Sequence, residues 1–177
     1  MRITVCQAGD VELLDRSMPT PGIESHHARR YERQLAGAGT FLLAWRQDHP
    51  VGHCEVRWDG CAAAEVRAAV PDCPEINGLA VWPVELRSRG IGTALIGRAE
   101  SLAARRGLAY IGLGVGHDNP RAEALYARLG YRPVVDYHDR WSYRGTDGPV
   151  QVTDPCTFLV KGLRPEPDSA PAAHRAC

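Results

Sequence analysis

The segment Arg87-Ser88-Arg89-Gly90-Ile91-Gly92-Thr93 places two glycines and two arginines directly before a run with helical periodicity. Glycine at 90 and 92 lets the backbone approach a ligand without Cβ obstruction. The first turn of a following helix offers N–H groups with no partner in the helix, at the positive end of its dipole. Such a place binds phosphate, and Arg87, Arg89 and the Thr93 hydroxyl add to it. A P-loop requires G-x-x-x-x-G-K-[ST], and this turn has no lysine. Gly112, Gly114 and Gly116 approach a dinucleotide fingerprint, but no glycine falls at the third place and the run sits inside a strand pattern. Taken alone, the 87–93 turn is also readable as a glycine-rich helix start with surface arginines.

Two side chains nearby suit proton transfer. Tyr126 stands seven residues after Asn119, two helical turns or ~10 Å along one face, and on its spacing alone it reads first as a core aromatic. A phenol with pKa ~10 is protonated at neutral pH and can donate. Glu75 opens a strand in which alternation puts Glu75, Asn77 and Leu79 on one side, and a carboxylate there can accept a proton. His117 and His138 are spare candidates, each also readable as a surface histidine.

The elements that must hold these groups are legible in part. Arg2–Cys6 alternates like a short strand, followed by a turn and a polar stretch. Glu24–Gln34 has helical composition and ends at Gly37. Phe41–Trp45 and Val51–Arg57 read as strands joined by an Asp48-His49-Pro50 turn. Asp59–Pro74 reads as a loop and Glu75–Trp82 as a buried strand. Gly90–Arg106 carries Ile91, Leu95, Ala99 and Leu102 at helical spacing and closes at Gly107. Leu108–Val115 is a strand. Asn119 then caps a helix with Pro120 at its first position and Gly130 past its end. Tyr131–Tyr143 and Cys156–Lys161 read as closing strands. The strand–helix–strand unit from Glu75 to Val115 implies local parallel pairing. A mixed, mostly antiparallel α/β sheet with helices on both faces follows, in one domain over 1–163, with 164–177 expected to be a disordered tail.

Twenty-one basic residues balance twenty-one acidic ones, so no strong field directs the chain to nucleic acid or membrane. No apolar run reaches the ~20 residues of a membrane span. The N-terminal residues break into Asp and Glu too early for a signal peptide, so cytoplasm is the expectation. The six cysteines are scattered without a C-x-x-C pair; they read as reduced thiols, and no metal is expected.

From Asn77 to Val134 the chain resembles the GNAT acyltransferases. LAVWPVELRSRGIGTAL resembles the family's Arg/Gln-x-x-Gly-x-Gly/Ala signature at Arg87, Gly90 and Gly92, and HDNPRAEALYARLGYRPV resembles its second cofactor segment. The resemblance implies a sheet of about six to seven strands with a V-shaped splay. It also implies direct acetyl transfer from acetyl-CoA to a primary amine within a ternary complex. Backbone amides of Arg87, Ser88, Arg89, Gly90, Ile91, Gly92 and Thr93 would hold the pyrophosphate. Leu79, Ala80 and Val81, on a bulged strand, would pair with the pantetheine, which Asn119 would also bond. The Leu79 amide would face the thioester oxygen, and Tyr126 would protonate the leaving thiolate. Glu75 resembles the base of the histone-acetylating branch, with a water chain as the alternative. One departure stands out: the WPVEL stretch between Val81 and Arg87 is one residue longer than the family's usual spacing. If the extra residue fell in the strand, Leu79 would lose its role.

The acceptor is expected between Pro21–Tyr31, Cys54–Trp58 and Tyr137–Trp141. Glu24, Glu32, Glu55 and Asp139 beside Tyr137 and Trp141 suit a small cationic amine such as an aminoglycoside or polyamine. Protein lysine or N-terminal acetylation, longer-chain acyl transfer and a non-catalytic acyl-CoA-binding module are the alternatives. Dimers are common in the family, though no residue here shows one.

Overall fold

Local signals account for most element boundaries. In the computed structural model, which describes residues 1–18 and 20–163, the order is β1 (Arg2–Val5), α1 (Asp10–Ser17), α2 (His26–Leu35), β2 (Gly39–Arg46), β3 (His49–Arg57), α3 (Ala64–Ala69), β4 (Glu75–Val81), α4 (Ile91–Arg105), β5 (Tyr110–Gly116), α5 (Pro120–Arg128), β6 (Arg132–Gly145) and β7 (Gly148–Gly162). The tail from Arg164, expected to be disordered, lies outside the described residues. Ser25 caps α2 by accepting from the Ala28 N–H at 2.9 Å, and Asn119 caps α5 by accepting from the Ala122 N–H at 3.1 Å. Among the described residues, no helix is long and apolar enough to cross a membrane.

The strands form one seven-stranded sheet in the order β1-β2-β3-β4-β5-β7-β6. Only β4 and β5 run parallel, as the crossover through α4 requires. The mixed, mostly antiparallel architecture expected from the element order is therefore present. On one face, Leu95, Ile96 and Ala99 of α4 pack with Val56, Ile76 and Ile111. On the other, Leu14 and Met18 from the α1 segment cover Phe41, Leu43 and Trp45.

Four local expectations are corrected. The polar stretch after β1 contains α1, whose buried Leu14 stands at helical spacing with Val11 and Met18, a pattern masked by the charged residues between them. The segment 59–74 contains α3, which buries Val66 against Cys61, Tyr137 and Phe158. The β2–β3 turn sits at Gln47 and Asp48, leaving His49 and Pro50 in β3. The closing hairpin is much longer than expected, paired out to Gly145 and Gly148. The added length is mainly the first half of β7, residues 148–155, which is largely exposed, so polar residues hide its alternation.

The glycine run of β5 has a packing explanation. A Cβ at Gly112 would lie 2.3 Å from the Phe158 ring, and one at Gly114 would lie 2.2 Å from the Tyr137 hydroxyl. These glycines admit bulky neighbours from β6 and β7.

Candidate active site

Two features of β4 create the site. Its register with β5 is limited to Glu75 opposite Gly112 and Ile76 opposite Leu113. From Asn77 onward the strands diverge into the V-shaped cleft that the resemblance implied. The second feature is a bulge. His53 pairs with Ala80 and Glu55 with Asn77, so Cys54 alone stands opposite Gly78 and Leu79. Gly78 takes the left-handed conformation with φ +59°, as a bulge of this kind favours.

The bulge corrects the expected facing of the strand. Glu75 and Asn77 share a side, but Leu79 packs with Ile76 in the α4-side core. The extra residue in the strand switches the alternation. The Leu79 side chain is thus on the opposite face from Glu75, while its backbone still lines the cleft. The WPVEL stretch itself follows β4, and its Val84–Leu86 forms a short 3-10 turn.

At the head of α4, Ser88 and Gly90 are both left-handed, with φ +59° and +84°. Gly90 supplies no side-chain cap, in contrast to Ser25 and Asn119 on α2 and α5. The first intrahelical bond there runs from the Ala94 N–H to the Gly90 carbonyl at 3.0 Å, which leaves the N–H groups of Ile91, Gly92 and Thr93 without helical partners. The Arg87 Nε donates back to the Val81 carbonyl at 3.3 Å, tying the turn to β4. Arg121, in the first turn of α5, donates to the Ser88 hydroxyl. The sequence reading missed Arg121; its position just after the Asn119 cap was the available signal.

The cleft between β4 and β5 is lined by Leu79, Asn119 and Tyr126, together with Glu75, Tyr137 and Asp139. Tyr126 is 7% exposed, and its hydroxyl has no hydrogen-bond partner among the described residues. Burial, followed by the nearby Cys54, raises its pKa to about 12, so it remains a proton donor across the neutral range. The Asn119 Oδ1 is occupied as a helix cap, which leaves its NH2 group to donate.

Glu75 is 3% exposed. Burial raises its pKa to about 7, with Asp139 and Glu55 pushing the same way against Arg57 and the Asn77 side chain. The Arg57 Nη1 stands 3.4 Å from its Oε2, an ion-pair separation without a hydrogen bond. A carboxylate at this balance can take up a proton near neutrality.

An adjoining groove on the α2 side shares Glu75, Asn77, the 78–79 backbone, Asp139 and Trp141 with the cleft. The three segments expected to form the acceptor site do meet here, but not through all the expected residues. Glu55, Asp139 and Trp141 line the groove, while Tyr137 lines the neighbouring cleft. Glu24 and Glu32 do not line it. Glu24 pairs with Arg29, which does line the groove, and Glu32 points outward from the exposed side of α2. His117 bonds Thr157 at 3.1 Å, and His138 sits on the exposed side of β6; neither lines cleft or groove. The arginines of α2, to which the sequence reading gave no role, line the groove.

The acetyltransferase (GNAT) family matches residues 11–131. An uncharacterized N-acetyltransferase of Methanocaldococcus jannaschii is 39% identical over 93 residues, covering 51% of this chain and 38% of its own. The mycothiol acetyltransferase of Beutenbergia cavernae is 40% identical over 79 residues, covering 44% of this chain and 26% of its own. The match thus spans about a third of the length of these curated relatives. Among solved structures, an aminoglycoside 6'-N-acetyltransferase complexed with coenzyme A superposes with a TM-score of 0.61 at 20% identity, over 95% of this chain and 100% of that one. Naa20 of Chaetomium thermophilum, in complex with a bisubstrate analogue, superposes at 0.67 with 19% identity, over 92% and 87%. The glycine-bearing turn, the bulged strand and the splay all fall in the 11–131 segment, and the chain belongs to the acetyltransferase (GNAT) family.

Proposed function

We propose that the protein is an N-acetyltransferase that uses acetyl-CoA to acetylate a small primary amine by direct attack. The observation that carries this reading is the uncapped, glycine-entered N-terminus of α4 beside the open edge of β4. The residues fit the cofactor: the unpaired amides would hold its diphosphate, the unpaired strand edge would hold its pantetheine, and Arg87, Arg89 and Arg121 would supply countercharge.

Acetyl-CoA, when bound, supplies a thioester acetyl group. Glu75 accepts a proton from the acceptor amine, directly or through water, which frees the nitrogen lone pair to form the new amide bond. The Leu79 N–H, at the bulge, is placed to stabilise the negative charge that builds on the carbonyl oxygen. Tyr126 donates its proton to sulfur as the carbon–sulfur bond breaks. Asn119 orients the pantetheine through its NH2. Five free, buried cysteines fit a reducing compartment such as the cytoplasm.

The groove geometry supports a small acceptor. The Ile23 N–H donates to the Arg144 carbonyl at 2.8 Å, and His26 meets Trp141 edge-on at 6.3 Å. The α1–α2 loop and the β6–β7 hairpin therefore touch, joining the groove walls at one end, where a through-running peptide would need an opening. Aminoglycosides and polyamines are among the small amines to assay.

Gly92→Asp tests the diphosphate site. A Cβ at Gly92 would meet only Leu79 Cδ2, at 3.9 Å, and an acid in a helix's first turn favours the helix dipole. The variant is expected to keep its Tm within about 2 °C of the parent or above it. Acetyl-CoA affinity is expected to fall at least ~tenfold, or about 1.4 kcal/mol, as read by titration calorimetry. Unchanged affinity contradicts the placement of the diphosphate. Release of free CoA thiol in the presence of amines reads the activity itself; acetyl-CoA binding without release to any amine would favour a non-catalytic binding module.

A further inference from the structure

The groove beside Glu75 carries more positive than negative charge, and the excess sits at Arg30. Of the carboxylates lining it, Glu55 is matched by the Arg33 Nε at 2.9 Å and Glu75 by the Arg57 Nη1 at 3.4 Å. Asp139 faces Arg57 as well, with burial and Asp154 holding its pKa above the usual carboxylate range. Arg29, also on the lining, pairs with Glu24. Arg30 lines the groove too and has no carboxylate within ion-pair distance among the described residues.

Arg30 is well placed to receive a ligand. It projects from α2 across the bulge, so close that a Cβ at Gly78 would lie 2.3 Å from its Nη2. Its guanidinium lies over the Phe41 ring, 5.9 Å from the centroid, a contact that holds the side chain in one orientation. Burial withdraws it from water, and an arginine in such surroundings binds an oxyanion strongly through paired N–H donors. The neighbouring histidines add no positive charge near neutrality, because burial lowers the pKa of both His26 and His53.

We infer that the acceptor is a primary amine bearing a carboxylate or phosphate, with the anion held by Arg30 and the nitrogen at Glu75. Glu75 and Gly78 are three residues apart on β4, ~10 Å or less, so a molecule of amino-acid or aminoalkyl-phosphate size spans the two points. The inference rests on the acetyl-transfer reading and narrows its acceptor class. A bare polyamine would place positive charge against the unmatched guanidinium, which is unfavourable.

Matched pairs of amines test it, with the full chain, acetyl-CoA and thiol release as the readout. Free α-amino acids are set against their amides, phosphoethanolamine against ethanolamine, and spermidine and kanamycin are included as cations. In at least one pair the anionic member is expected to give a kcat/KM tenfold or more above its neutral partner. The pair that responds tells carboxylate from phosphate. Arg30→Gln is expected to reduce that ratio at least threefold through the acceptor KM, with the acetyl-CoA KM within twofold of the parent. Arg30→Lys, which keeps the charge, is expected to retain more of the ratio than Arg30→Gln, and a parental Tm for both guards against misfolding as the cause. Transfer to neutral or cationic amines alone, or a ratio indifferent to both substitutions, overturns the inference and leaves acetyl transfer standing. Silence on every amine overturns acetyl transfer and the inference together.

Discussion

Tyr126→Phe is expected to lower kcat by ~100-fold or more, the lower end of what a positioned general acid contributes, while acetyl-CoA affinity stays within about twofold. The split follows from the surroundings of the ring. The phenol lies in the cleft, 7% exposed, and packs at 6.2 Å from the Tyr131 ring, a contact phenylalanine retains. Its hydroxyl bonds no described residue, so its removal orphans no buried partner. With a pKa of about 12, Tyr126 stays protonated up to strongly alkaline pH and adds no basic limb to the rate profile below that value. Steady-state kinetics with calorimetric titration of acetyl-CoA separate the two quantities. An unchanged kcat would remove Tyr126 from the chemistry.

Glu75→Gln is expected to lower kcat/KM by ~100-fold and to change the pH profile. The parent needs an ionised carboxylate, so its rate is expected to rise with pH through about 7; the variant loses that limb. Stability is expected to move the other way. Glu75 has a pKa of about 7 in the fold against a reference of 4.5, so between these values the native state holds more protons than the unfolded chain. Its favourable contribution is present below pH 4.5 and is lost as pH rises through 7. The ionised, buried carboxylate therefore costs stability at pH 8, by at most about 3 kcal/mol. Glutamine removes that cost and loses the Arg57 attraction in exchange. The Tm of Glu75→Gln at pH 8 is expected to equal or exceed that of the parent. Lost activity together with a lower Tm would mark Glu75 as a structural residue.

The parts legible in the sequence are those governed by local rules. Gly90, Gly107, Asn119, Pro120 and Gly130 mark the ends of α4 and α5, because entry, capping and left-handed exit each demand particular residues. The order of strands and helices was enough to imply the mixed sheet. What stayed hidden depends on tertiary context. A bulge arises from a mismatch between β3 and β4, so strict alternation assigned Leu79 to the Glu75 side when its side chain belongs to the core. The arginines of α2 look like a solvated face until β3 and β6 fold beneath and beside them. Arg121 joins the glycine-bearing turn only when α5 is brought against Ser88. Glu24 and Glu32 illustrate the converse, since membership of a segment near the groove does not make a side chain point into it.

The most direct measurement is a crystal structure of the protein with coenzyme A. The account places the diphosphate against the backbone amides between Arg87 and Thr93, the pantetheine along Leu79–Val81, and the sulfur within hydrogen-bonding reach of the Tyr126 hydroxyl. A diphosphate bound away from the head of α4, or a sulfur out of reach of Tyr126, would contradict it.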